Sequence, residues 1–172
     1  CFNIGNEVIA AATNVSKNKT TLTIINIAIN ATKFITFSLA FSLAIMIGIQ
    51  GAGKTTFCKM RLSDYEYVNL DILKTRDNEE KLVKKLFGEG KSFVVDNTNR
   101  YKFDRQRYIP RAIAKGYKIV GYYFEPDLKA CLRRNRKRSR KVPEKVIKEY
   151  KGIVLNNKPT YDEGFDKIYT VI

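Results

Sequence analysis

The chain has 172 residues, of which 44% are apolar and 12% aromatic, enough for about one domain with a buried core. It carries a formal net charge of +15, no histidine and three cysteines. Histidine-dependent triads, imidazole bases and histidine metal sites are thereby excluded, so a catalytic base has to be a carboxylate or a lysine. Cys1, Cys58 and Cys131 are odd in number and far apart, which supports neither a disulfide framework nor a zinc site. Reduced thiols and a cytoplasmic setting are the expectation.

Cys1–Ile45 differs in kind from the rest. Its only charged residues are Glu7, Lys17, Lys19 and Lys33, and Ile25–Asn30 alternates like a strand. Met46–Gln50 is assigned as the strand that leads into the following loop, which leaves an apolar run, Phe34–Ile45, too short to cross a membrane. Met46 is the first methionine, and the expected organisation is a non-domain extension over Cys1–Ile45 followed by a working domain over Met46–Ile172. That second part holds 29 basic against 16 acidic residues, net +13, which favours a polyanionic partner such as nucleic acid or nucleotide.

In chain order the periodicity then predicts a helix over Lys54–Leu62 and a strand over Tyr65–Leu70 ending at Asp71. A helix over Asn78–Phe87 and an apolar strand over Ser92–Val95, closed by Asp96, come next. Asp104–Lys115 reads as a helix interrupted at Pro110, and Tyr117–Phe124 as a strand behind it. Helices over Pro126–Arg138 and Pro143–Leu155 and a strand over Phe165–Ile172 complete the set. Strands alternating with helices imply parallel crossovers, hence an α/β three-layer sandwich on a central parallel sheet of about five strands. Ligands then sit at the carboxyl ends of the strands. Tyr122, Tyr123 and Phe124 read as sheet core.

Gly48-Ile49-Gln50-Gly51-Ala52-Gly53-Lys54-Thr55 fits G-x-x-x-x-G-K-[ST] between a strand and a helix. The glycines let backbone N–H groups face phosphate, Lys54 reaches the β and γ oxygens, and the Thr55 hydroxyl suits Mg²⁺. Gly48, Gly51, Ala52, Gly53, Lys54, Thr55 and Thr56 are therefore the candidate ATP site. Asp71 and Asp96 each follow a strand, where phosphoryl transfer to an alcohol needs one carboxylate for the hydroxyl proton and another near the metal. Arg133–Lys141 holds seven basic residues in nine, suited to charge spread over a transferring phosphoryl group or a phosphodiester backbone.

Taken together, "GIQGAGKTTF", "VNLD", "VVDNTNR", "CLRRNRKRSRKVPEKVI" and "PTYDEGFDKIYTV" resemble the polynucleotide 5′-hydroxyl kinases, a family of P-loop kinases. The resemblance implies ATP and Mg²⁺, with Asp71 as general base toward a DNA or RNA 5′-OH in nucleic acid repair. It implies Arg138 as the lid arginine on the ATP phosphates, with Arg134 preceding it. It also implies Asp96, Asn97, Thr98 and Asn99 along the acceptor and metal side, with Thr55 and Asp96 as metal ligands. Leu70 and Lys74 stand where the family often has arginines; Lys74 remains a candidate for substrate phosphate, though not as a bidentate fork. No phosphatase or ligase motif accompanies the kinase pattern. The alternatives are a P-loop kinase acting on a small hydroxyl compound (sugar, nucleoside or antibiotic) and an ATP-binding module without turnover.

Overall fold

The structure, a computed structural model, describes residues 41–172. Cys1, the Ile25–Asn30 alternation and most of the apolar run lie outside the described residues. The compact unit begins at Phe41. Its first strand, β1, is Ser42–Ile47, which corrects the expected Met46–Gln50. The expected boundary at Met46 cuts this strand. Leu43, Ala44 and Ile45 are 0%, 1% and 0% exposed, and they pair with Phe93, Val94 and Val95 on one side and Ile119, Val120 and Gly121 on the other. Within an uncharged run long enough to look like a membrane candidate, Ser42–Ile47 is the central strand of a sheet. No helix among the described residues is long and apolar enough to cross a membrane.

The remaining elements are α1 (Lys54–Arg61), β2 (Glu66–Val68), α2 (Leu70–Leu73), α3 (Arg76–Glu89) and β3 (Phe93–Val95). They are followed by α4 (Lys102–Arg105), α5 (Ile109–Ala114), β4 (Lys118–Phe124), α6 (Leu128–Arg136), α7 (Glu144–Asn156), a 3-10 turn over Tyr161–Glu163 and β5 (Lys167–Val171). The five strands are all parallel in the order β2-β3-β1-β4-β5. Alternation along β1 builds the layers. Leu43, Ile45 and Ile47 face a core shared with α3, α5 and α7, whereas Ala44 and Met46 face Cys58 and Leu62 of α1 and its end. The α/β three-layer fold expected from the alternation of elements is the fold observed.

Three local differences have plain causes. The expected single helix over Asp104–Lys115 is two, because the chain breaks ahead of Ile109 and Pro110 then sits in the first turn of α5, where its missing N–H costs nothing. Gly88 lies inside α3, and the left-handed Gly90 (φ 61°) ends it. The helix expected over Pro126–Arg138 starts only at Leu128, capped by Asp127, which accepts from the Ala130 N–H at 3.0 Å, and it stops at Arg136.

Beneath the sheet's carboxyl edge, Arg105 and Glu163 form a buried bidentate pair, both contacts 2.6 Å and both side chains 1% exposed. Arg105 Nη1 also donates to the carbonyls of Asn99 (3.1 Å) and Asn157 (3.2 Å). One guanidinium thus ties the loop after β3 to the segment that follows α7.

Candidate active site

The phosphate loop leaves β1 with its backbone already committed at one end. The Gly48 N–H donates to the Thr98 carbonyl at 3.0 Å, and a side chain at Gly48 would lie 2.9 Å from Phe124 Cβ. Gly51 is left-handed (φ 80°), and a Cβ there would sit 2.6 Å from the Cys131 carbonyl oxygen. The loop therefore packs directly on α6. Lys54 is buried, and its Nζ donates to the carbonyls of Gly48 and Ile49, both at 2.9 Å. Burial lowers the Lys54 pKa, a shift the Asp96 charge opposes and the Arg138 charge reinforces.

Thr55, at the start of α1, donates its hydroxyl to Asp96 Oδ2 at 2.6 Å. Tyr67 of β2 donates to the same oxygen, and the Asn69 side-chain amide donates to the Asp96 carbonyl at 2.6 Å. The Tyr67 hydroxyl is held above its ordinary pKa, first by burial and then by this bond to Asp96. A threonine hydroxyl beside a carboxylate is a donor set that fits Mg²⁺, which takes one or two protein oxygens and completes its shell with phosphate and water. Among the described residues no cluster of three or more acidic, cysteine or histidine side chains offers an all-protein cage.

Asp71 does not end a strand as expected. It lies in the first turn of α2, whose cap is Asn69: the Asn69 Oδ1 accepts from the N–H groups of Asp71 (2.9 Å) and Ile72 (3.3 Å). Asn97 braces the same turn, accepting from the Leu70 N–H at 3.0 Å and donating to Glu79 at 2.6 Å. Glu79 in turn holds Arg76 at 2.5 Å. Asp71 itself is exposed, 3.3 Å from Arg140 Nη1.

A cleft of about 700 Å³ runs between these groups. Of the expected residues, Gly51, Gly53, Lys54, Thr55, Thr56, Asp71, Asp96, Asn97, Thr98, Arg134 and Arg138 line it. Four do not. Gly48 is buried and Ala52 packs against the core. Lys74 caps the C-terminal end of α2 with φ 70° and is not among the residues that line the cleft. Asn99 is 3% exposed, and its amide donates to the Met46 carbonyl at 2.8 Å, so it ties the loop after β3 to β1. The cleft also holds residues that sequence reasoning left unassigned: Gln50, Asn69, Arg76, Arg100, Arg140 and Tyr150. Asn69 had a signal, since an asparagine just ahead of a short helix is a preferred cap.

The basic segment is part helix and part loop. Arg134, in the last turn of α6, donates to the Gly51 carbonyl at 3.1 Å. Arg138 lies beyond the helix end at Arg136, although the helix was expected to run through it. The loop is pinned at its neck by Asn135, whose amide donates to the Val142 carbonyl at 2.8 Å while its oxygen accepts from the Val142 N–H at 3.0 Å.

A glycine-rich loop at the end of a central parallel strand, with a buried lysine and a threonine hydrogen-bonded to an aspartate, defines a P-loop nucleotide-binding domain. Residues 43–154 match the AAA_33 family, an AAA domain, and the chain belongs to it as a P-loop kinase domain of that type. It is 33% identical over 138 residues to a protein of Acanthamoeba polyphaga mimivirus named as a bifunctional polynucleotide phosphatase/kinase, across 74% of this chain and 32% of that one. It is 29% identical over 126 residues to the L-seryl-tRNA(Sec) kinase of Methanococcus maripaludis, across 62% of this chain and 49% of that one. The chain thus spans about a third to a half of the length of these relatives. A gluconokinase from Sinorhizobium meliloti shares the fold, with TM-score 0.50 and 13% identity over 76% of this chain and 81% of that one.

Proposed function

We propose that the domain transfers the γ-phosphoryl group of ATP to the 5′-hydroxyl of a polynucleotide. The observation that carries the reading is the charge and shape of the cleft. Lys54, Thr55 and Asp71 line it together with Arg76, Arg100, Arg134, Arg138 and Arg140. Arg76 is paired with Glu79 and Arg140 with Asp71, and the cations that remain still suit an acceptor that brings phosphates of its own. The likeness to the mimivirus protein supports the same acceptor class.

In this reading Asp71 accepts the proton of the attacking hydroxyl, whose oxygen forms the new bond to the γ-phosphorus as the bond to the ADP oxygen breaks. Lys54 and Arg138 neutralise charge on the phosphoryl oxygens, and Arg134 anchors the loop side of the lid. Thr55 and Asp96 would hold Mg²⁺, which supplies charge neutralisation on the β and γ phosphates when bound.

The test is transfer of label from γ-labelled ATP with Mg²⁺ to a 5′-OH oligonucleotide. Label at the 5′ end, abolished in Asp71→Asn while ATP still binds, is the expected result. ATP binding with label going only to a small hydroxyl compound would sink the polynucleotide reading, and equal behaviour of Asp71→Asn would point to a binding module. A second reading has its own support: the tRNA kinase relative acts, by its name, on a hydroxyl attached to RNA. Adding seryl-tRNA to the acceptor panel separates the two.

A further inference from the structure

One side of the cleft continues outward as a column of flat groups. The Arg100 guanidinium lies 4.0 Å from the Tyr150 ring centroid and 5.0 Å from that of Tyr101. The Tyr101 ring in turn stacks on Phe103, with centroids 4.8 Å apart and planes 15° from parallel. Arg100 and Tyr150 line the cleft, and Phe103, at the far end, is 60% exposed. Local structure explains the stacking. Tyr101 is the extended cap of α4 and Phe103 lies in its first turn, while Lys102 between them turns to Asp162 at 3.0 Å.

A single exposed phenylalanine needs no explanation. Here the exposed ring is the outer end of a stack whose inner end is a cation facing the phosphate cleft. Arg100 Nε is buried and has no hydrogen-bond partner, so the rings hold this part of the guanidinium in place of polar contacts. An aromatic face next to a line of arginines is how proteins hold unpaired nucleic acid: the cations follow the backbone and the rings take the bases. Paired bases inside a duplex are stacked on both faces and cannot offer the same surface.

We propose that Tyr101 and Phe103 form a base-stacking platform for the acceptor strand just beyond its reacting end, which makes an unpaired 5′ terminus the preferred substrate class. The identity of the occupant rests on the polynucleotide reading above.

The experiment is fluorescence anisotropy of the full chain with a short single-stranded 5′-OH oligonucleotide labelled at its 3′ end, beside an abasic strand of equal length. Wild type binds the base-bearing strand more tightly than the abasic one. Phe103→Ala weakens the base-bearing strand by about tenfold and leaves the abasic strand unchanged, and Phe103→Trp keeps wild-type affinity. An unchanged Kd in Phe103→Ala, an equal loss on both strands, or no preference of the wild type for bases overturns the platform. Binding that depends on Phe103 without any 5′ labelling would overturn the proposed reaction and leave the platform standing. Labelling with a Kd independent of Phe103 would do the reverse.

Discussion

The Thr55 hydroxyl donates to Asp96 Oδ2 at 2.6 Å, so the two protein groups suited to Mg²⁺ are hydrogen-bonded to each other across the P-loop. Replacing Asp96 by Asn keeps the size of the side chain and removes the charge. Transition-state stabilisation of several kcal/mol depends on such a metal ligand, so turnover should fall by about a hundredfold or more. Steady-state kinetics against Mg²⁺ concentration checks this. A variant with undiminished kcat and unchanged Mg²⁺ dependence would remove Asp96 from the metal site.

Lys54 gives a proton-linked prediction. Burial holds its pKa below the ordinary 10.5. Between that lowered value and 10.5 the unfolded chain carries a proton that the folded one lacks, so this group's contribution to stability rises with pH through that window. A bound triphosphate favours the charged amine and reverses the shift. Calorimetry of ATP binding in two buffers of different ionisation enthalpy should show proton uptake in the alkaline range, lost in Lys54→Met. Identical apparent enthalpies in the two buffers for wild type would count against it.

The Arg105–Glu163 pair, which is outside the cleft lining, predicts a stability effect. Glu163→Gln leaves a fully buried guanidinium without its counter-charge and should cost about 3–5 kcal/mol, read from urea denaturation. Activity per folded molecule should change little at saturating substrate. A loss of kcat at unchanged stability would mean that the pair acts on the cleft itself.

The position of β1 predicts where the domain can be trimmed. A chain starting at Phe41 keeps the whole strand and the Phe41 carbonyl, which accepts from the Lys118 N–H at 2.8 Å. A chain starting at Met46 loses Leu43 and Ile45, each worth about 2–5 kcal/mol as a buried side chain, together with their ladder bonds. That sum approaches the whole stability of a typical domain, about 5–15 kcal/mol. The shorter form should show no cooperative thermal transition, whereas the Phe41 form should. Comparable melting of both would show β1 to be dispensable before Met46.

The phosphate loop was legible because its chemistry is confined to consecutive residues, and the α/β order because periodicity repeats along the chain. What escaped is what depends on contact between distant segments. Asn99 looks like its neighbours in "DNTN", and only the approach of β1 turns it inward. Lys74 is spaced for a substrate contact, but it becomes the C-cap of α2 and does not line the cleft. Arg76, Arg100 and Tyr150 come from three separate segments and meet only in the folded cleft. The start of β1 was misplaced because apolar residues continue on both sides of it without a turn signal, and pattern alone cannot divide such a run.

The two hydrogen bonds between Asn135 and Val142 make the arginine segment a ring with a closed neck. A free strand of cations would have to give up its conformational entropy residue by residue when it settles on phosphate, at about 1–2 kcal/mol each. Here folding has already met the cost of bringing the two ends together, so the loop that carries Arg138 and Arg140 starts from a narrower range of shapes. In binding terms the neck is a form of pre-organisation, by which Asn135 would favour affinity although it does not line the cleft.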